Sequence, residues 1–143
     1  MEGMKTKLST LWVFATLNFI YCDVLGVMNP TLLKGFLAGN VNGIEVSQSF
    51  LFGAGVLVEI PILMVLLSRF LGYRANRWAN VVAGLTMTIV QLGSLFVGKP
   101  APYYIFFSVF EVAATATIVW LAWRWAGEER ALTTTPKVLA THP

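Results

Sequence analysis

Four stretches of this chain, residues 8–28, 47–68, 78–98 and 102–123, are apolar and carry no lysine or arginine. Each matches the roughly 20 residues that an α-helix needs to cross a bilayer. Only 12% of the residues are charged, about half the share usual in a soluble domain. With a mean hydropathy of +0.71, the chain lacks the polar surface to face water all round. The sequence therefore predicts an all-α fold, an integral membrane four-helix bundle in one domain, residues 1–126.

The basic residues give the orientation. Lys5, Lys7, Arg69, Arg74, Arg77, Arg124, Arg130 and Lys137 fall on one predicted side, and only Lys34 and Lys99 on the other. That bias places both termini in the cytoplasm. It also accounts for the net charge of +3 without an acidic partner, so no nucleic acid is expected. Trp78, Trp120, Trp123 and Trp125 lie near predicted cytoplasmic ends, and Tyr103 and Tyr104 near an outer end, as interfacial aromatics do.

The connections differ in kind. Residues 29–46 form a long outer loop, where Asn29-Pro30 reads as an N-cap with a first-turn proline and Gly39-Asn40 as a stop. Leu32, Leu33, Phe36 and Leu37 fit either a short surface helix or a loop with buried leucines. The loop 69–77 is short and basic, and Gly98–Pro102 is a tight turn, so spans two to four run antiparallel. From Gly127 the composition turns to charge, threonine and proline, predicting a polar, disordered cytoplasmic tail over 127–143. The first apolar run is longer than a secretory signal core and no small-x-small site follows closely, so it reads as a retained span.

Chemistry is sparse. Cys22 is the single cysteine and His142 the single histidine, which leaves no disulfide and no metal-ligand spacing. Gly53 and Gly55 lack the context of a phosphate-binding loop. No cofactor is expected. What remains are three acids inside apolar runs, Asp23, Glu59 and Glu111. A charge at mid-membrane costs at least about 2.5–3.5 kcal/mol, so such groups are functional candidates by default.

Their settings differ. In span four, Tyr104, Ser108, Glu111 and Thr115 fall on one helical face, with Ile105, Val109, Val112 and Val119 on the side suited to lipid. Span three carries a parallel stripe of Asn80, Gly84, Thr88, Gln91 and Leu95 with Ser94 beside it, in which Gly84 and Thr88 permit close helix approach. In span two, Pro61 frees the Leu57 carbonyl near Glu59. Asn18, Tyr21, Cys22 and Asp23 crowd the outer half of span one. At the helical rise, Glu59, Asn18 and Glu111 lie about 18, 15 and 14 Å below the outer ends, Gln91 about 10 Å and Asp23 about 8 Å. Polar residues between spans also serve simply as interhelical hydrogen-bond partners, worth about 0.6 kcal/mol each.

Asn18-Phe19-Ile20-Tyr21-Cys22-Asp23, Glu59-Ile60-Pro61-Ile62, Leu67-Ser68-Arg69, Arg77-Trp78-Ala79-Asn80 and Phe110-Glu111 together resemble an uncharacterised family, a domain of unknown function, of small four-span bacterial membrane proteins. The likeness runs over about residues 8–126. It implies the same topology in a bacterial plasma membrane and no activity. The Glu59-x-Pro61 pair is also similar to the glutamate-x-proline of four-span sterol-isomerase and sigma-2-receptor-like proteins. That likeness implies acids facing a cavity that accepts lipophilic amines.

Three functions fit these residues. In the first, Glu59 and Glu111 line a cavity and bind a proton together with a small cation or lipophilic amine. Asp23, Asn18, Gln91, Tyr104 and Ser108 would be the further ligand contacts, with a homodimer as one way to enclose the path. In the second, the chain is an accessory subunit whose acids pair with another membrane protein. In the third, the two glutamates act as acid and base on a lipid, without the nucleophile, metal or cofactor that an enzyme usually adds. Membrane lipids are expected partners in all three.

Overall fold

The computed structural model describes the backbone of residues 2–134 and the side chains of residues 2–125. In chain order the elements are α1 (Glu2–Met28), α2 (Pro30–Leu37), β1 (Asn40–Val41), β2 (Ile44–Glu45), α3 (Gln48–Phe70), α4 (Tyr73–Ser94) and α5 (Pro102–Thr134). The fold is helical apart from the small ribbon. α1 packs against α3 and α5, α4 packs against α5, and a smaller α3–α4 contact closes the ring.

Three helices are long and apolar enough to cross a membrane: α1, α3 and the Pro102–Trp125 part of α5. α4 spans 22 residues, about 33 Å at the helical rise, yet is less apolar because it buries Asn76, Asn80 and Gln91. It also starts at Tyr73 rather than residue 78, taking Arg74 and Arg77 into its first turns. Hydropathy detects only the apolar part of such a helix. At the other end α5 continues through Gly127 as far as Thr134, across the Glu-Glu-Arg-Ala-Leu stretch of good helix formers. Residues 135–143 of the expected tail lie outside the described residues.

The outer connection is built by local chemistry. Asn29 caps α2, its Oδ1 accepting from the Thr31 and Leu32 amides at 3.0 and 3.5 Å, and Pro30 opens the first turn. Of the two readings left open for residues 30–37, the helix is the one formed. The ribbon was not anticipated. β1 and β2 pair antiparallel with Val41 opposite Ile44. Asn42 and Gly43 turn the chain with φ of 53° and 83°, the positive values of a two-residue Asn-Gly hairpin turn.

Where α4 meets α5 the backbones approach closely. A Cβ on Gly84 would stand 2.6 Å from Val119 Cγ2 and 3.3 Å from the Thr115 carbonyl. Val119, expected to face lipid, is thus half-buried against α4. Packing of this kind substitutes for the hydrophobic effect between helices in lipid. Gly84→Val is expected to push the pair apart and cost about 2 kcal/mol by overpacking. Chemical unfolding in detergent measures it, and an unchanged midpoint would show that the helices tolerate the wider spacing.

A second contact is polar. Trp12 Nε1 of α1 donates to Asn80 Oδ1 at 2.7 Å, and Ser68 Oγ of α3 donates to the same oxygen at 3.2 Å. Asn80 Nδ2 donates to the Asn76 carbonyl and Oδ1 at 2.8 and 2.7 Å, and Asn76 Nδ2 donates to the Ser68 carbonyl at 2.7 Å. Trp12, Ser68, Asn76 and Asn80 are each fully buried. This cluster ties α1, α3 and α4 together beside the apolar core of Leu8, Ala15, Met64, Met87 and Ile118.

The outward surface is apolar. Phe14, Leu17, Phe52, Leu66, Ile89, Phe106 and Val109 are all exposed, a display that is costly in water. α3 is the least embedded of the four long helices. Its buried residues are Pro61, Met64 and Ser68, so its outer half, from Gln48 to Ile60, buries none.

Candidate functional site

The buried acid is Glu111. It lies on the inner face of α5 between Ser108 and Thr115, and the three are 1%, 3% and 1% exposed. The stripe expected in the sequence is therefore the face that α5 turns inward, with Tyr104 half-buried at its outer end. Hydrogen bonds organise everything around Glu111 except its carboxyl. Thr115 Oγ1 donates to the Glu111 carbonyl at 2.9 Å, and Thr88 Oγ1 of α4 lies 2.8 Å from Thr115 Oγ1. Both carboxyl oxygens are buried and have no hydrogen-bond partner among the described residues.

On the outer side a hydrogen-bonded column leads away from it. Gln91 Nε2 donates to Ser108 Oγ at 2.7 Å, and Ser108 Oγ donates to the Tyr104 carbonyl at 2.7 Å. The Tyr104 hydroxyl donates to Ser94 Oγ, which donates to the Gln91 carbonyl at 2.6 Å. Tyr104 to Glu111 is two helical turns, about 10 Å. Tyr104 and Ser94 also form part of the wall of a cleft of about 680 Å³ at the α2–ribbon end of the bundle, with Asn29, Asn42, Lys99 and Tyr103 among its other walls. The α2–ribbon segment and the turn before α5 thus shape the mouth, and the column lies along α5 between that cleft and Glu111 without bonding to its carboxyl.

α1 completes the surroundings. Asp23, Cys22 and Tyr104 all lie within electrostatic range of Glu111. Cys22 is buried and in no disulfide, while Asp23 is exposed near the C-terminal end of α1. Among the described residues no group of three His, Cys, Asp or Glu side chains has the arrangement of a metal site.

Two candidates stand apart from this cluster. Asn18 spends its amide on its own helix, Nδ2 donating to the Phe14 carbonyl at 2.8 Å. Glu59 is exposed. At 100° per residue it points nearly opposite to Pro61, with Met64 and Ser68 on the proline's side. The structure therefore gathers Glu111, Ser108, Gln91 and Tyr104, brings Asp23 near, and leaves Glu59 on the outward face of α3. The glutamate-x-proline pair is split, its proline buried and its acid exposed.

The inner cluster of Trp12, Ser68, Asn76 and Asn80 was not singled out from sequence. Its signal was nevertheless there, because Asn76 extends the Asn80–Gly84–Thr88–Gln91 stripe by one turn. Unlike Glu111, this cluster leaves no polar side-chain atom of Asn76 or Asn80 unpaired, so it reads as a structural tie.

A model for a family of unknown function (DUF6326) matches residues 1–132 of the chain. No curated protein matches it, and no solved structure does.

Proposed function

The chain belongs to the DUF6326 family of unknown function, a membership that brings no activity with it, and we propose that Glu111 is an intramembrane exchange site. There a proton and a small cation or lipophilic amine replace one another, entering by the outer cleft. α4 serves as the fourth span in this reading, and the basic ends of the helices face the cytoplasm of a bacterial cell. The observation that carries the proposal is the fully buried Glu111 carboxyl with both oxygens unpartnered. An ionised carboxylate without partners is very costly in a low-dielectric interior. The resting group is then the neutral acid, and a bound cation supplies the missing partner when the proton leaves. Gln91, Ser108, Ser94 and Tyr104 make the stretch between Glu111 and the cleft polar, and Asp23 draws cations toward the mouth.

Tetraphenylphosphonium is the probe. Wild type is expected to bind it and release protons in proportion, Glu111→Gln to lose both, and Glu59→Gln to keep both. Binding with proton release by Glu111→Gln equal to wild type would overturn the proposal.

A second reading rests on Glu59. An acid on the outward face of a span needs a partner outside its own bundle, as in an accessory subunit or a homodimer. Glu59→Leu is then expected to shift the detergent-solubilised protein to a smaller assembly by light scattering. An unchanged mass would remove this reading and leave the first intact.

A further inference from the structure

At the end of the bundle opposite the cleft, two arginines are mounted on indole rings. The Arg77 guanidinium of α4 lies 5.4 Å from the Trp78 ring centroid and 5.5 Å from that of Trp123 on α5. The Arg124 guanidinium lies 4.7 Å over the Trp120 ring. Trp120, Trp123 and Arg124 share one face of α5 by their three- and four-residue spacing. Trp78, Trp120 and Trp123 are each more than half exposed, so the rings stand on the outside of the bundle.

Among the described residues no carboxylate pairs with either arginine. Arg77 Nε is buried with no hydrogen-bond partner. Beside the Arg124–Trp120 stack runs a cleft of about 310 Å³ between α1 and α5, lined by Met4, Trp120, Leu121, Arg124 and Trp125. An apolar floor and a basic rim thus meet at Arg124, and Arg77 is stacked on Trp123, the residue before Arg124 on α5.

We propose that this face binds an anionic phospholipid. Its phosphate meets the Arg124 and Arg77 guanidiniums, and an acyl chain lies along the Met4–Leu121 cleft. Guanidinium is suited to the task, since its planar fork matches phosphate oxygens while its face stays on the indole. Stacking fixes the side chain beforehand and lowers the entropy lost on binding. The occupant is a lipid rather than a soluble anion because the floor and the exposed rings are apolar, which suits acyl chains and the interfacial region. The proposal rests on the membrane reading above and is independent of Glu111.

The test is native mass spectrometry of the detergent-purified full chain with equimolar phosphatidylglycerol and phosphatidylcholine. Wild type is expected to retain phosphatidylglycerol preferentially. Arg77→Gln and Arg124→Gln should each lower that retention about fivefold, the equivalent of about 1 kcal/mol per basic residue at an anionic surface. Lys7→Gln combined with Arg74→Gln removes twice the charge of either single variant from the same end and should change retention less than twofold. Arg77→Lys with Arg124→Lys keeps the charge, guards against unfolding, and should still lose several-fold because an ammonium neither forks nor stacks as well. Equal retention of the two lipids, full retention by the double lysine variant, or an equal loss in the Lys7/Arg74 control would overturn the site in favour of diffuse attraction. Failure of the membrane reading would show separately, as protein that stays monodisperse in buffer without detergent.

Discussion

Asn80→Ala is expected to lower the stability of the bundle by about 3 kcal/mol, the largest loss from any single polar truncation in the chain. Asn80 uses all four of its hydrogen-bonding positions, accepting from Trp12 and Ser68 and donating twice to Asn76. Its removal leaves an indole N–H, a hydroxyl and an amide oxygen buried without partners. Each orphaned group costs about 1 kcal/mol or somewhat more, and membrane double-mutant cycles give about 0.6, rising to about 1.7, for each interhelical bond. Three such losses in one dry cluster decide the magnitude. Chemical unfolding in mixed detergent micelles, followed by circular dichroism, is the measurement.

The ordering is as informative as the size. Trp12→Phe removes one donor and leaves Asn80 with Ser68, so about 1 kcal/mol is expected. Ser9→Ala removes a single bond, from Ser9 Oγ to the Val65 carbonyl at 2.8 Å, and should cost no more. The triple change Trp12→Phe, Ser68→Ala, Asn80→Leu removes donors and acceptors together and should recover part of the Asn80→Ala loss. A loss below about 0.5 kcal/mol for Asn80→Ala would mean that water enters and replaces the network.

How far the sequence could reach depends on which helices carry polar residues. α4 and α5 each have a polar stripe, and a stripe has a direction. Ser108, Glu111 and Thr115 could therefore be assigned to one face, and Asn80, Gly84 and Gln91 to another, and these six are buried. α3 is apolar on all sides, so nothing in its sequence says which way Glu59 points. Counting the rise gave Glu59 a depth and paired it with Glu111, but depth is only one coordinate. The direction is set by Pro61, Met64 and Ser68, which were chosen as the buried face by contacts with other helices. Local signals behaved similarly. The Asn29-Pro30 cap is a short-range hydrogen bond and was legible, whereas the Asn42-Gly43 hairpin turn lies between runs too short to register as strands. The outer cleft was not legible at all, since its walls come from α2, the ribbon and the turn before α5.

Glu111→Leu is expected to make the protein more stable while abolishing cation-linked proton release. Leucine is close in volume to glutamate and needs no hydrogen bond. A buried polar group without a partner costs about 1–3 kcal/mol by mutational measures, so a gain of about 2 kcal/mol is expected. Glu111→Gln should gain little, because the amide would be as unpartnered as the acid it replaces. The predicted order is Leu above wild type, with Gln near wild type, and neither variant releasing protons with tetraphenylphosphonium. Such a pattern is what a destabilising group retained for function produces. It also separates the two kinds of polar cluster in this bundle. Around Asn80 every side-chain group is answered from within the chain, so truncation can only weaken the fold. At Glu111 Thr115 answers the backbone carbonyl, and none of the described residues answers the carboxyl. A loss of more than about 1 kcal/mol in Glu111→Leu, measured by the same unfolding assay, would show that the carboxyl is a structural member of the bundle after all. A gain in stability accompanied by undiminished proton release would instead move the exchange site elsewhere, and Asp23, an acid within electrostatic range of Glu111, would be the next residue to change.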